Sequence, residues 1–312
     1  MKIVIIGTGA MGSIYAGLLG DAGNEVWAID TWQAHIDAIR ARGLRVEGAS
    51  GDRVVKLNAS TTADEAGTAE LVIIATKAMH VEAAATSAKP LIGPTTTVLT
   101  IQNGLGSAHK VARALGSERV IVGVVGGFGA SIRAPGHVHH NGWELVRLGE
   151  LGRPVSARIA HIARVWRDAG FKVKTYDDID QLVWEKLICN VCFSGPCAVL
   201  EWTMGQVIRD PSAWQVASGC AQEAYDVARA RGIALDIDDV VLYVREFGLK
   251  IPEARPSVLL DHMARRRSEI DVINGAVLAA ARALDLAAPY NAVITALVKA
   301  REAEFEHQST SS

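Results

Sequence analysis

The 312-residue chain has almost no excess of one charge. Its 32 Lys and Arg residues stand against 34 Asp and Glu residues, and the formal net charge is −2. This balance gives no electrostatic reason to expect nucleic acid or an anionic membrane as a partner. The sequence also has no uninterrupted apolar run of the roughly 18 residues that a membrane span needs. We therefore expect neither a nucleic-acid nor a membrane partner.

Cysteine is scarce, and an export signal is not evident. The apolar start MKIVII runs into a glycine-rich turn after a few residues, which is too short for the core of a signal peptide. Four cysteines in a chain of this length, without an export signal, fit a reducing compartment. Hydrophobic residues make up 49% and charged residues 21% of the chain, as in globular proteins. The sequence predicts a soluble, cytoplasmic protein of one large or two ordinary domains.

Short runs rich in β-branched residues alternate with helix-like stretches over the first half of the chain. Runs this apolar suit strands that are buried on both faces of a parallel sheet, and the repeated β-α-β order predicts a doubly wound, Rossmann-type sheet. The five predicted strands cover residues 2–7, 25–30, 71–76, 97–103 and 120–126. Residues 129–150 read as two strand-like pieces around a Pro-Gly turn, and we expect an antiparallel addition to the sheet there.

Helical periodicity replaces the strand pattern after residue 178. It continues to the C-terminus, with strong helix signals in 181–193, 212–232, 237–250 and 268–286. The sequence thus predicts an α/β fold with a dinucleotide-binding domain over 1–178 and an all-α substrate and dimerisation domain over 179–312.

The segment GTGAMG, residues 7–12, has the spacing G-x-G-x-x-G directly after the first predicted strand. Gly7 permits a tight turn, Gly9 lets the backbone approach a pyrophosphate, and Gly12 lets helix and strand pack closely. The N-terminus of the following helix supplies N–H groups and a positive dipole end. A plain strand–helix turn is the alternative. We assign cofactor binding to Gly7, Thr8, Gly9, Ala10, Met11 and Gly12.

Asp30 ends the second predicted strand, where an acid can accept hydrogen bonds from the adenosine ribose. Its charge repels a 2′-phosphate, and no Arg or Lys follows before Arg40. We therefore expect NAD(H) rather than NADP(H). The alternative role for Asp30 is a helix cap, and the two roles are compatible.

Lys77 follows the third predicted strand, and Asn103 ends the fourth. Ligands of open α/β sheets lie beyond the carboxyl ends of the strands, so both residues are expected near the nicotinamide half of a dinucleotide. The alternatives are a solvated loop lysine and an Asn-Gly turn.

In the predicted helix that begins near residue 181, Lys186, Asn190 and Ser194 recur every four residues and share one face. The rest of this helix is apolar almost all round, which predicts burial. Buried amine and amide groups need hydrogen-bond partners, and a polar substrate in a cleft can supply them.

The chain resembles the ketopantoate reductase family, the 2-dehydropantoate 2-reductases. The matching motifs are GTGAMG, ATK, IQNG, WEKLICN, RPSVLLD and RRSEIDVINGAV, which span nearly the whole sequence. The resemblance implies a Rossmann domain, a helical domain and an active site in the cleft between them. It implies that the protein reduces ketopantoate to pantoate, a step of pantothenate biosynthesis, with a nicotinamide cofactor.

The resemblance also implies roles for single residues. Lys186 is similar to the catalytic lysine that protonates the carbonyl oxygen, and Glu269 to a glutamate near the cofactor and that lysine. Asn190 and Ser257 are similar to substrate-binding residues. The cofactor contacts that the resemblance implies are Lys77, Asn103, Ala130 and Glu269.

Three positions depart from the family pattern. Ser194 stands where a second substrate-binding asparagine is common, Met204 replaces a polar residue of some members, and Thr31 replaces the arginine that receives the NADP phosphate. These departures favour, as an alternative, an NADH-dependent D-2-hydroxyacid dehydrogenase for another branched or aromatic 2-keto acid. A dinucleotide-binding sensor without catalysis is a further alternative, against which the presence of Lys186 and Glu269 argues.

The remaining motifs favour structural roles. Cys189-x-x-Cys192 has no second pair and lies within an apolar helix, where cysteine behaves as a small hydrophobe. His137 and His139 share a strand face, but no third ligand is evident. We expect no metal site. A homodimer is plausible.

Overall fold

The structure, a computed structural model, describes residues 1–126, 129–143 and 145–309. The chain forms two compact units. The first contains Met1–Gln102 and Ser107–Ile179, and the second contains Asn103–Gly106 and the chain from Asp180 onward. The short segment Asn103–Gly106, which sequence analysis assigned to the first domain, therefore packs with the second unit.

The first unit is built on an eight-stranded sheet with the order β12-β11-β8-β7-β6-β1-β2-β5. All neighbouring pairs are parallel except β8 and β11. Its strands are β1 (Lys2–Ile6), β2 (Glu25–Ile29), β5 (Asn58–Ser60), β6 (Ala69–Ile74), β7 (Ile92–Thr100), β8 (Val120–Val125), β11 (Val146–Glu150) and β12 (Val173–Thr175). The predicted doubly wound parallel sheet is confirmed.

In the described part of the first unit, five helices pack on the strands. They are α1 (Ala10–Asp21), α2 (Gln33–Arg42), α3 (Val81–Ser87), α4 (Ser107–Leu115) and α5 (Ala157–Asp168). Alternate residues of the central strands enter two separate apolar cores. Ile3 and Ile5 of β1 belong to one core, and Val4 and Ile6 belong to the other. The central strands are thus buried on both faces, as their apolar runs predicted.

The hairpin around Pro135 and Gly136 differs from the prediction. It is antiparallel, but it does not extend the main sheet. It forms a second sheet, β4-β3-β10-β9, from β3 (Leu44–Gly48), β4 (Arg53–Val55), β9 (Gly129–Ala134) and β10 (His137–Gly142). β10 pairs in parallel with β3, and Val138 lies opposite Val46, both fully buried. The antiparallel addition to the main sheet is β11, the strand after this hairpin.

The second unit is helical in its described part. Its helices are α6 (Ile179–Leu200), α7 (Met204–Arg209), α8 (Pro211–Ala230), α9 (Val240–Lys250), α10 (Ser257–Met263), α11 (Asn274–Arg282) and α12 (Pro289–Ser309). By length and composition α6 is the one helix among the described residues that could cross a membrane, and 67% of its most apolar stretch is buried within the protein. This burial is typical of a core helix, and α6 contributes Trp184, Leu187 and Phe193 to the core of the unit.

Candidate active site

The glycine-rich loop has the geometry that its spacing predicts. Gly7 has φ +92°, and a Cβ there would lie 2.6 Å from Thr76; a Cβ on Gly12 would lie 2.1 Å from the Gly7 carbonyl oxygen. Only glycine fits either position. A Cβ on Gly9, by contrast, would have no atom within 4 Å. Gly7 and Gly12 close the turn, and the backbone at Gly9 is open to an approaching group.

The start of α1 can hold a diphosphate. The Ser13 N–H donates to the Gly9 carbonyl at 2.9 Å, so the N–H groups at the start of the helix, including those of Ala10 and Met11, precede its first hydrogen bond. The buried Thr8 and Thr76 hydroxyls have no hydrogen-bond partner within the described residues. These groups fit the phosphate half of a dinucleotide.

Asp30 follows β2, and its Oδ1 accepts a hydrogen bond from the Trp32 N–H at 3.0 Å. The carboxylate therefore orders the turn that leads into α2, but it does not cap that helix, whose N-cap residue is Trp32. A carboxylate has further lone pairs, so it can also accept bonds from ribose hydroxyls.

Lys77 and Ala130 also belong to the first unit. Lys77 is exposed at the turn after β6, and Ala130 is half-buried in β9, opposite His140 of β10. The side chain of Gln102 joins the ends of β6 and β7 by donating to the carbonyl oxygens of Ile74 at 2.6 Å and Thr76 at 3.2 Å. Sequence analysis did not single out Gln102.

Two candidate residues meet in the second unit. The ammonium group of Lys186, on α6, donates a hydrogen bond to Asn103 Oδ1 at 2.8 Å. Both residues are half-buried, although 83 positions separate them. Sequence analysis placed Asn103 at the cofactor and Lys186 at the substrate, and the structure joins the two side chains directly.

The backbone around Asn103 is fixed by the turn after Glu269. The Leu105 N–H donates to the Val272 carbonyl at 2.9 Å. Gly104 has φ +78°, and a Cβ there would lie 2.1 Å from the same carbonyl oxygen. The absence of a side chain at Gly104 lets the segment lie directly on this turn, and this close approach places Asn103 within reach of Lys186.

Glu269 is 6% exposed and directly precedes a short 3-10 helix, Ile270–Val272. Its neighbour Ser268 is held by Glu302 of α12, because the Ser268 N–H and hydroxyl both donate to Glu302 Oε1. His262 Nε2 lies 3.3 Å from the same oxygen. Burial alone would raise the pKa of Glu302, but the hydrogen bonds from His262 and Ser268 outweigh it, and the pKa is lowered. A buried anion thus anchors the chain beside Glu269.

The predicted substrate residues occupy different environments. Asn190 is half-buried one turn after Lys186, whereas Ser194, a further turn along, is 3% exposed. Ser257 is the exposed first residue of α10. Met204, the first residue of α7, is buried in the core. Lys186 and Asn190 are therefore the more accessible members of the stripe on α6.

The model of the ketopantoate reductase PanE/ApbA family matches residues 3–153, and the model of its C-terminal domain matches residues 178–302. The chain belongs to the ketopantoate reductase family. It is a nicotinamide-dependent oxidoreductase of that type, in agreement with the resemblance seen in the sequence.

This ketopantoate reductase family member is similar to the following three proteins over nearly its whole length. The 2-dehydropantoate 2-reductase of Pyrococcus horikoshii is 32% identical over 97% of this chain and 98% of its own length. A PanE/ApbA family ketopantoate reductase from Ralstonia eutropha JMP134 has a TM-score of 0.91 and 34% identity, over 98% and 100% of the two chains. D-mandelate dehydrogenase, in a ternary structure with NADH and anilino(oxo)acetate, has a TM-score of 0.90 and 29% identity, over 98% and 99%.

The cysteines of this family member lie in the apolar core. Cys189, Cys192, Cys197 and Cys220 are all free and buried. Burial raises the pKa of Cys189 and of Cys197 to about 12, and it also raises the pKa values of the other two. A thiol with so high a pKa is a poor nucleophile. Burial in the apolar core confirms the interpretation of Cys189 and Cys192 as small hydrophobes.

The paired histidines of β10 contact one carboxylate. His137 Nε2 lies 3.0 Å and His139 Nδ1 lies 3.3 Å from the oxygens of Glu47 on the neighbouring strand. The nearby imidazoles, His137 first and His139 second, lower the pKa of Glu47. No group of three His, Cys, Asp or Glu residues in the described ranges could hold a metal ion.

Proposed function

We propose that this protein reduces the keto group of ketopantoate to give pantoate, with NADH as the hydride donor. The observation that carries the proposal is the hydrogen bond from Lys186 to Asn103, which fixes an ammonium group on the polar stripe of an apolar helix. The coarser statement, a nicotinamide-dependent reductase of the ketopantoate reductase type, already follows from the family.

Lys186 acts on the carbonyl oxygen of the 2-keto acid. When the nicotinamide cofactor is bound, it supplies the hydride for the carbonyl carbon. Negative charge then grows on the carbonyl oxygen, and the Lys186 ammonium stabilises that charge and gives up a proton to it. Asn103 orients the ammonium from one side by accepting one of its hydrogens. Asn190, one turn along α6, offers an amide to the substrate, and Ser257 contacts the region of its carboxylate.

The first unit supports binding of NADH rather than NADPH. Asp30 carries a negative charge where a 2′-phosphate would lie, and Thr31 and Trp32 follow it in place of a cation. The glycine-rich loop and the start of α1 would hold the diphosphate, and Lys77, Ala130 and Glu269 are the further cofactor contacts that we propose.

A second candidate is an NADH-dependent D-2-hydroxyacid dehydrogenase for another branched or aromatic 2-keto acid. It is favoured by the buried Ser194 and Met204, which leave fewer polar groups for the hydroxyl of ketopantoate. The D-mandelate dehydrogenase with NADH, at a TM-score of 0.90, adds to this support.

The deciding experiment is a matrix of two cofactors and a panel of 2-keto acids. We would measure kcat/KM with NADH and NADPH for ketopantoate, branched aliphatic 2-keto acids and phenylglyoxylate. We expect NADH to be preferred with every accepted substrate and ketopantoate to be turned over best. A higher kcat/KM for phenylglyoxylate or a branched 2-keto acid selects the second candidate.

Asp30→Ser tests the cofactor preference directly. Because the variant loses a charged hydrogen-bond acceptor, we expect the NADH to NADPH ratio of kcat/KM to fall by about tenfold or more. Asp37→Ser, on the exposed side of α2, is the matched control. A wild type that prefers NADPH would mean that Asp30 has been misread. NADH binding without turnover of any keto acid would instead point to a sensor.

Cytoplasmic location, a homodimer and the division of labour between residues 1–178 and 179–312 stay predictions. Fractionation of cells addresses the first and size measurement in solution addresses the second, both independently of the substrate.

A further inference from the structure

His35 is a fully buried polar residue of α2 to which no role in the candidate site has been given. Two hydrogen bonds connect it to the glycine-rich loop, and a third connects it to the β9–β10 hairpin. The Gly136 N–H donates to His35 Nδ1 at 3.1 Å, and His35 Nε2 lies 3.1 Å from Ser13 Oγ. The Ser13 hydroxyl in turn donates to the Thr8 carbonyl at 2.7 Å. The chain of contacts thus runs from the β9–β10 hairpin to the cofactor loop.

One arrangement of protons satisfies all three bonds. A backbone N–H can only donate, so Nδ1 accepts from Gly136 and the imidazole hydrogen is on Nε2. That hydrogen is donated to Ser13 Oγ, which leaves the Ser13 hydroxyl hydrogen for the Thr8 carbonyl. Burial lowers the pKa of His35, against the opposing field of Asp30, and this favours the neutral ring that the arrangement requires.

The series of hydrogen bonds ends at the Thr8 carbonyl and so sets the direction of the Thr8–Gly9 peptide group. The Thr8 carbonyl and the Gly9 N–H belong to the same planar trans peptide and point in opposite directions. Because Ser13 holds the carbonyl on the inner side, the Gly9 N–H points away from Ser13. The Cβ position of Gly9 faces open space, as a site of close approach to a ligand requires.

One face of the His35 ring packs on the turn that carries Asp30. The Trp32 indole stacks on the imidazole with a centroid distance of 4.9 Å and an interplanar angle of 15°. The backbone N–H of Trp32 is the group that donates to Asp30. His35 therefore touches the turn that carries Asp30 and, through Ser13, the loop that carries Gly9.

We propose that His35 is a positioning residue for the dinucleotide: through Ser13 it holds the Thr8–Gly9 peptide with its N–H directed at the diphosphate. This inference rests on the proposed function, because it requires a dinucleotide on the glycine-rich loop. It adds a residue from outside the motif to the cofactor site.

Two variants of His35 separate hydrogen bonding from packing. His35→Leu fills similar space but removes both bonds, and we expect it to weaken NADH binding by about tenfold or more, as for the loss of buried polar partners. His35→Gln retains an acceptor for Gly136 and a donor for Ser13, and we expect its Kd to stay within about threefold of wild type. Kd is measured by titration with NADH and, separately, with ADP-ribose, which shares the diphosphate but lacks the nicotinamide.

The matched control is Thr96→Val. Thr96 is 2% exposed and its hydroxyl also bonds backbone groups, among them the Gly93 N–H and the Ala69 carbonyl, but it lies in the middle of β7, beside the amino end of β6 and away from the loop. We expect Thr96→Val to lower thermal stability while leaving both Kd values unchanged. Ser13→Ala, a smaller change, should reproduce the loss seen in His35→Leu, and it replaces that variant if His35→Leu does not fold.

The outcomes are distinguishable. If wild type binds neither NADH nor ADP-ribose, the proposed function itself is wrong. If wild type binds both and His35→Leu or Ser13→Ala binds them within twofold, the inference is overturned. Equal loss in His35→Gln and His35→Leu, or in Thr96→Val, also overturns it, because packing or general stability would then explain the effect.

Discussion

Lys186 is the residue on which the proposed chemistry depends most directly. It is half-buried on an apolar helix, and Asn103 accepts one of its hydrogens. An ammonium group held in this way needs little rearrangement when negative charge develops on a nearby oxygen. Donors fixed in advance contribute strongly to catalysis for this reason.

Replacement of Lys186 by alanine should therefore lower kcat with the best 2-keto acid by about a hundredfold or more, the contribution typical of a general acid. NADH binding should change little, because Lys186 is not among the proposed cofactor contacts. Lys250→Ala, which removes an exposed lysine at the end of α9, is the control and should retain wild-type kcat. A Lys186→Ala variant with near-normal kcat would refute the assignment.

Sequence reasoning found Lys186 and the glycine-rich loop but not His35 or Gln102. Lys186 is recognisable because a charge in an apolar helical pattern needs an explanation, and the loop is recognisable because its glycines have a fixed local spacing. His35 bonds Gly136, 101 positions away, and Gln102 bonds Ile74, 28 positions away. Contacts at such separations leave no periodic trace in the sequence around either residue.

The four residues Asn103–Gly106 form a short segment that determines where Asn103 lies. They leave the end of β7 and pack on the turn at Val272 of the second unit, so that Asn103 meets Lys186. Gly104 and Gly106 both have positive φ, but only Gly104 lies against another backbone. Substituting each glycine in turn therefore distinguishes the effect of backbone strain, present at both positions, from the effect of close backbone contact, present at Gly104.

Gly104→Ala should lower kcat/KM by ~10–100-fold, since it pushes Asn103 away from Lys186 and small misplacements in a site are costly. Gly106→Ala has a comparable φ, +92°, and open space around its Cβ. We expect this variant only to lose roughly 1–2 kcal/mol of the free energy of unfolding, because a non-glycine residue is strained in the left-handed region. Thermal unfolding and kcat/KM for both variants give the comparison, and similar kcat/KM losses would contradict the proposed role of the segment.

The hairpin β9–β10 shows how an element can be recognised while its partner is missed. Its Pro-Gly turn was evident in the sequence. Its place in a second sheet depends on β3 and β4, short strands whose residues carry charge, as in LRVEG, and give no clear apolar run. The pairing of β10 with β3 is decided by the burial of Val46 and Val138, which only the folded chain reveals.

The molecule as a whole has separate cores in its two units, and the four cysteines all lie in the second. A thiol with a pKa of about 12 is ionised to only roughly one part in ten thousand at pH 8. Burial also keeps reagents away from the sulfur atoms, so the thiols report on the integrity of this core.

We expect almost none of the thiols of the native protein to react with an aromatic disulfide reagent at pH 8 over minutes. All four cysteines should react once the chain is denatured. The unfolded sample is the internal control for reagent and concentration. Rapid labelling of one or more thiols in the native protein would contradict a buried, structural role.

The sequence by itself determined the doubly wound sheet, the helical second half, the phosphate loop and the lysine stripe. Each of these depends on local spacing: period two or an apolar run for strands, every third or fourth position for helices, and fixed glycine offsets for the loop. Only the tertiary structure decided that Asn103 packs with the second unit and bonds Lys186, and that His35 supports the Thr8–Gly9 peptide. These features depend on atoms brought together from distant parts of the chain, where the need of each buried polar group for a partner selects the contact.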